Sequence, residues 1–425
     1  MDVEGNPVKI LQLVPRLPYP PSDGGKIGIL GITRGYLRAG HEVRLLGFDG
    51  DGARASFEAG LGRDLAGYYV ETMPRWKSAV SALRSPLSRR PFLREKYWSD
   101  TMFREVCRAY EEWRPDFVHI DHSHMGAYGL ELKRRHRDAR VYIRAHNVEF
   151  VIWQRLQATA GNFASRAFYA DQAGMVRDYE RRLFSTLDGV VPLTPVDAER
   201  VMLEAPDAAV YTMPAGCEQR EAVPLRMEVD TDPRLCFVGF LDWIANRDGI
   251  VWFVEEVWPR IRARWPAARL DVVGRATTPI RCLTDTPGVH YHGYVEDLDS
   301  VLREVDVAVV PLRIGGGMRI KILDFLSRGL PVISTSVGAE GIAHAWNGEN
   351  VFELADHADG FLHSLEQLTE GHARREALAR SGRRFIEQEF DWTALMTRFC
   401  RWVEAGGAAR VPDRAPPRVG LAGAV

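Results

Sequence analysis

The sequence has little with which to cross-link itself. Its five cysteines, Cys107, Cys217, Cys236, Cys282 and Cys400, are scattered, odd in number and without a close pair. That argues against a disulfide framework and a zinc ribbon, and predicts reduced, buried thiols in a cytoplasmic protein. No run of about eighteen apolar residues occurs, so no transmembrane helix is predicted. Residues 1–10 carry charges and no long apolar stretch, which predicts no signal peptide. Charge of one sign is not in excess: 55 Lys and Arg face 57 Asp and Glu, a formal net charge of -2. A whole-molecule field that gathers nucleic acid is therefore not expected. Internal repeats are absent. The first glycine-rich loop does not match G-x-G-x-x-G, which argues against a nicotinamide enzyme.

What is present is an ordinary globular composition, 46% hydrophobic and 26% charged, over 425 residues. That length suits two domains. Short β-branched apolar runs lie at 9–14, 42–48, 116–120, 141–145, 189–193 and 210–213. A second series lies at 235–239, 270–273, 289–291, 307–311 and 332–334. Most are separated by stretches of helical period. The pattern predicts α/β architecture, with parallel sheets in two doubly wound domains. The series breaks at 216–232, which holds Gly216, Pro224 and several charges and reads as a linker. The expected domains are 1–215 and 233–390, followed by a terminal helix at 391–404 that returns toward the N-terminal domain. Residues 405–425 read as a disordered tail. Facing doubly wound domains bind ligands in a cleft at the carboxyl ends of their strands.

The strongest motif stands at 315–321, just after a strand. Gly315, Gly316 and Gly317 precede Met318, Arg319, Ile320 and Lys321 at a helix start. Glycines let a ligand approach the backbone, and a helix start favours an anion. Cations in the first turn oppose the helix dipole unless an anion sits there, and a diphosphate fits best. Asp324, one turn on, has two readings: a carboxylate that accepts from two sugar hydroxyls, or a plain Lys321–Asp324 pair.

In the first half, Gly24 and Gly25 permit close backbone approach, or form a tight Pro- and Gly-rich loop. His146 ends a strand, beside Asn147 and near Glu149. His119, Asp121, His122 and His124 cluster at another strand end. Alternation along the strand separates His119 from His122, so an acceptor loop with His122 and His124 is preferred to a metal site. Between 75 and 98, Arg and Lys interleave with Trp76, Phe92, Tyr97 and Trp98. Two readings stay open there: a basic face on an anionic membrane surface, or a solvated helix pair. Trp243, Trp252, Phe253, Trp258 and Trp265 read as core or helix packing.

The run from 311 to 342, PLRIGGGMRIKILDFLSRGLPVISTSVGAEGI, resembles the donor-binding segment of bacterial family-4 glycosyltransferases. These are retaining enzymes of the GT-B fold, with two Rossmann-like domains facing across a cleft. The resemblance extends through LVPRLPYPPSDGGK, IRAHNVEF, LDGVVPLTPVDAERV, FVGFLDWIANRDGIVWF and VHYHGYVEDL, in that order. It implies that Gly24 and Gly25 lie beside the diphosphate and acceptor. His146 would position the donor and stabilise charge, with Glu149 orienting it or facing the acceptor. The family usually carries two glutamates separated by seven residues: Asp324 stands at the second position, which binds the ribose, and Gly316 at the first. Gly239 ends the first strand of the second domain without the usual Arg, leaving Arg319 and Lys321, with Arg247 in support, to meet the diphosphate. Gly274, Arg275, Tyr294 and Val295 would frame the base.

The resemblance further implies transfer from a nucleotide-diphosphate sugar, UDP- or GDP-linked, to the hydroxyl of a sugar, lipid-linked or small-molecule acceptor. Front-face attack would need no side-chain nucleophile, cofactor or divalent metal. The work would be done in the cytoplasm or at the inner face of the membrane. A nucleotide-sugar epimerase of the same fold and a non-catalytic nucleotide-sugar-binding protein are the rival readings.

Overall fold

The structure, a computed structural model, describes residues 7–21, 24–159, 162–218, 220–225, 232–314 and 318–407. The expected tail, apart from residues 405–407, and much of the expected linker lie outside the described residues. The chain forms two compact units. One comprises the residues up to Gly216 together with the segment from Trp392, and the other comprises Cys217–Asp391.

In the first unit six parallel strands form one sheet, in the order β3-β2-β1-β4-β5-β6. They are β1 (Lys9–Val14), β2 (Glu42–Asp49), β3 (Gly67–Thr72), β4 (Phe117–Asp121), β5 (Val141–Ala145) and β6 (Gly189–Pro192). The central strands are buried throughout, as β-branched runs in a parallel sheet covered on both faces must be. Residues 210–213, expected as a strand, contribute only one bridge, from Val210 to Val190. The sheet is instead completed at its other edge by β3, whose residues are mostly half-exposed.

The helix Trp392–Glu404 packs on the helix Gly24–Arg38, and glycines make the contact possible. A methyl group on Gly31 would stand 2.1 Å from the Trp392 ring, and one on Gly35 2.7 Å from Met396 Cγ. Trp392, Met396, Phe399 and Trp402 are thereby buried in the first unit's core. This explains why a segment from the far end of the chain belongs to that unit.

The second unit also holds a six-stranded parallel sheet. From one edge the order is Glu353–Leu354, β11 (Val332–Ser334), β10 (Val307–Val310), β7 (Arg234–Val238), β8 (Arg269–Val273) and β9 (Val289–Gly293). In each sheet the strand order reverses once, between β1 and β4 and between β7 and β10. Loops leaving the carboxyl ends of strands at such a point diverge and leave room for a ligand. Gly24, His122, Gly239 and Arg319 all lie on these loops or on the helices they open.

Candidate functional site

In the second unit the site is assembled from three strand ends. Beyond β7 the chain passes Gly239 and enters the helix Ile244–Trp252. Beyond β10 it reaches Arg319 and then the helix Ile320–Ser327, which Arg319 caps from outside in an extended conformation. Gly315, Gly316 and Gly317 lie outside the described residues. Lys321 donates to Asn246 Oδ1 at 2.7 Å, and Asn246 Nδ2 in turn donates to the Phe240 carbonyl at 2.9 Å. The Lys321 amine also lies 4.5 Å from the Phe237 ring centroid. The Arg319 guanidinium lies 5.1 Å from the Trp243 ring centroid.

Burial, reinforced by Arg319, lowers the Lys321 pKa to about 7. Lys321 makes no ion pair among the described residues. The charge of Arg319 adds to burial in disfavouring a cation at Lys321, and an anion would relieve that repulsion. The glycines fit the crowding. A methyl group on Gly239 would stand 2.8 Å from both Lys321 Nζ and Asn246 Nδ2. Gly274, at φ +147°, would drive a methyl to 1.8 Å from the Gly239 carbonyl oxygen. No other residue fits that position.

The remaining expected residues of this unit are placed as follows. Asp324 accepts from Arg328 at 2.6 Å and lies 3.7 Å from Arg220, so it does not pair with Lys321. Its carboxylate is already held by cations, and only part of it is open to a hydroxyl. Arg247 donates to the Pro279 carbonyl at 3.2 Å, away from Lys321's contacts. Arg275 is exposed, and its carbonyl accepts from the Leu241 amide. Tyr294 is exposed, while Val295 and Met318 are half-buried against the core. Trp243 corrects the sequence reading: it is 39% exposed and stands by Arg319, whereas Phe253, Trp258 and Trp265 are core. Trp252 is half-buried and packs partly under Arg313.

In the first unit the buried Asp121 organises a polar network. Gln12 Nε2 donates to it at 2.7 Å, and Thr33 donates to Gln12 Oε1 at 2.8 Å. Arg144 Nη1 lies 3.7 Å from Asp121 and 2.5 Å from His146 Nε2. Burial, aided by Arg144, lowers the His146 pKa to about 4, so the imidazole is neutral at pH 7. A guanidinium is only a donor, so Nε2 must accept from it and Nδ1 carries the proton. The 3.4 Å approach of Nε2 to Asp121 is then not a hydrogen bond. His146 therefore offers an N–H at Nδ1. Gly28 leaves it room, since a methyl there would reach 3.3 Å from the His146 ring.

The histidine cluster divides in two. His119 points into the network, where Tyr36 hydroxyl and His119 Nδ1 are 2.6 Å apart. His122, at φ +68°, leaves the strand and stacks on His146, with ring centroids 3.6 Å apart. His122, His124 and Glu149 bring one ligand atom each to within 4.8 Å of one another, an arrangement that could hold a cation or a polyhydroxylated molecule. Glu149 opens the helix Glu149–Thr159. Burial, reinforced by Glu180, raises its pKa to about 8. Glu180 is engaged by the Ser123 hydroxyl and by the Glu149 and Phe150 amides. Gly24 and Gly25 form the first turn of the helix Gly24–Arg38.

Sequence reasoning did not find Asn246, Arg144, Gln12 or the role of Trp243. Single residues of these types carry no spacing signal. The nearest hint was period-two alternation, which sets Asp121 on the face of His119.

Two family profiles match the chain. One described as a glycosyl transferase 4-like domain covers residues 23–216, and one described as glycosyl transferases group 1 covers residues 232–370. A curated relative, an uncharacterized 44.6 kDa protein in the cps region of Klebsiella pneumoniae, is 21% identical over 402 residues, which is 90% of this chain and 96% of that protein. Among solved structures, TarM aligns at a TM-score of 0.63 with 10% identity, over 95% of this chain and 99% of TarM. HepE of Anabaena, in complex with UDP and glucose, gives 0.61 with 12% identity, over 94% and 100%. Sucrose-phosphate synthase of Thermosynechococcus elongatus gives 0.61 with 15% identity, over 94% and 98%. The profiles in chain order, with two parallel six-stranded sheets and these structural neighbours, place the chain among the GT-B glycosyltransferases.

Proposed function

We propose that this glycosyltransferase takes a sugar from a nucleoside-diphosphate sugar and passes it, with retention of configuration, to an acceptor hydroxyl. One observation carries the reading: Arg319 and the buried amine of Lys321 stand together at the start of the helix Ile320–Ser327, beside glycines that a methyl group would obstruct. A leaving diphosphate gains charge as the glycosidic bond breaks, and preorganised cations lower that barrier. HepE, solved with UDP and glucose, shares the fold, which favours a uridine donor; a guanosine donor is the second choice.

On this reading Asp324 receives the ribose on the edge that Arg328 leaves open, and Gly274, Arg275, Tyr294 and Val295 border the base. His146 donates from Nδ1 to a sugar oxygen. A neutral, donating imidazole is suited to positioning and not to removing a proton. The diphosphate itself takes the acceptor proton, so no cofactor or metal is invoked. His122, His124 and Glu149 receive the acceptor, a sugar, a lipid-linked sugar or a small molecule. The relative in a cps region favours polysaccharide synthesis.

The test is turnover with anomerically pure UDP- and GDP-sugars against a panel of sugar and lipid-linked acceptors, with the product anomer read by proton NMR. Retained configuration supports the proposal. Inverted product overturns front-face attack. Release of an epimerised sugar without any acceptor would make the chain an epimerase.

A further inference from the structure

The helix Trp76–Ser88 is built inside out. Its apolar residues Trp76, Val80, Leu83 and Leu87 are 63%, 37%, 74% and 86% exposed. At 100° per residue these four fall within an arc of about 60°, a single stripe along the helix. The opposite face buries polar residues instead: Ser81 and Ser85 are at most 3% exposed. The Ser85 hydroxyl donates to the Arg90 carbonyl at 2.6 Å and accepts from Gln172 Nε2 at 2.8 Å. The helix is therefore fixed in this orientation by hydrogen bonds on its inner face. An exposed apolar stripe of this size calls for a partner.

The charges around the stripe say which partner. Residues 75–90 contain Arg75, Lys77, Arg84, Arg89 and Arg90 and no carboxylate, in a chain whose net charge is -2. Arg89 and Arg90 make long, exposed contacts with Asp171 and Glu95, and the Lys77 amine donates to the Trp98 carbonyl. Arg75 and Arg84 are exposed and make no ion pair among the described residues. A second copy docking by a twofold axis would set this cationic face against itself. A nucleic acid would match the charge and leave the leucines in water. An anionic lipid surface satisfies both, because the side chains enter the acyl boundary while the arginines meet the headgroups.

We infer that the helix Trp76–Ser88 lies in the plane of an anionic membrane, with Trp76, Val80, Leu83 and Leu87 immersed and Arg75 and Arg84 at the phosphates. This contact does not depend on the identity of the sugar donor. No helix among the described residues is long and apolar enough to cross a membrane, so such a contact would be peripheral.

The test is co-sedimentation of the full chain with vesicles of equal phosphatidylglycerol and phosphatidylcholine, and with phosphatidylcholine alone. Binding is expected to favour the anionic vesicles by about tenfold or more. Leu83→Ser/Leu87→Ser should lower it by about tenfold, and Arg75→Gln/Arg84→Gln should remove the preference for anionic lipid. Both pairs are exposed, and unchanged circular dichroism and melting will show that they fold. Three results overturn the inference: no binding of the wild type to anionic vesicles, equal binding by both variants, or a wild-type dimer in the ultracentrifuge that Leu83→Ser/Leu87→Ser turns into a monomer.

Discussion

The amine of Lys321 is tethered to Asn246, donating to its side-chain oxygen at 2.7 Å. Gly239 lies against both, and Gly274 lies against Gly239. Two alanine substitutions at adjacent glycines therefore have different consequences. Gly239→Ala pushes on the side-chain ends of Lys321 and Asn246 and not on backbone, and is expected to weaken nucleoside-diphosphate binding by about tenfold, about 1.4 kcal/mol, with a smaller change in melting. Gly274→Ala sets a methyl against backbone at positive φ, and should cost about 3 kcal/mol of stability or more. Calorimetric titration beside thermal melts separates the two.

The lowered pKa of Lys321 makes the binding of an anion take up a proton. In the folded protein this amine titrates at about 7, against an ordinary value of 10.5. Between those values the folded state binds fewer protons than the unfolded one, so this group's contribution to stability rises with pH. A diphosphate restores the charged amine. At pH 8, titration in two buffers of different ionisation enthalpy should show net proton uptake. Lys321→Met should abolish the buffer dependence, and uptake unchanged in that variant would assign the proton elsewhere.

Glu149 gives the opposite slope. Its pKa is raised to about 8 from an ordinary 4.5, burial first and Glu180 second. Between those values the folded state binds more protons than the unfolded, so stability is lost as pH rises through that window. The histidines whose pKa values fall to about 4, His119, His124 and His146, act in the other direction between about 4 and 6.5. Glu149→Gln removes only the first effect. Relative to the wild type, it should melt higher at pH 8.5 than at pH 5.5. An equal offset at both values would show that Glu149 is ionised in the fold.

Gly31→Ala should destabilise the first unit by about 1–3 kcal/mol, since its methyl would meet the Trp392 ring at 2.1 Å. In a Trp392→Leu background the same substitution should cost less. Urea denaturation of the four proteins of this cycle measures the coupling. Additive costs would show that the Gly24–Arg38 and Trp392–Glu404 helices do not meet at this point.

These cases show what the sequence makes legible. Buried parallel strands announce themselves as β-branched runs, so β1, β5 and β11 lie where the pattern sets them, and the others within a residue or two. Two of the four edge strands do not. β3 has half-exposed positions, and Glu353–Leu354 is only two residues long, so neither has enough apolar pattern to read. The run at 210–213 carries the core residues Tyr211 and Met213, whose amides donate to the Val190 and Pro192 carbonyls of β6, but it makes only the one bridge and so falls short of a strand. Glycines before a cationic helix start are the reason 315–321 is proposed as a place for an anion. The tethering of Lys321 to Asn246 joins residues 75 apart in the chain, and that of His146 to its near neighbour Arg144 is arranged around Asp121 of another strand, so neither leaves a local signature. Helical spacing cannot tell an aromatic in the core from Trp243, which stands by Arg319.

The central claim is that Arg319 and Lys321 receive a nucleoside diphosphate. The most direct measurement is thermal stabilisation by UDP, GDP, dTDP and ADP, with and without magnesium, of the wild type and Arg319→Ala. A ligand bound at a hundred times its dissociation constant stabilises by about 2.7 kcal/mol, a shift of several degrees. The account predicts that one diphosphate, UDP first, raises the melting temperature without magnesium and that Arg319→Ala removes the shift. No shift with any of the four, or a shift that Arg319→Ala leaves intact, would contradict it.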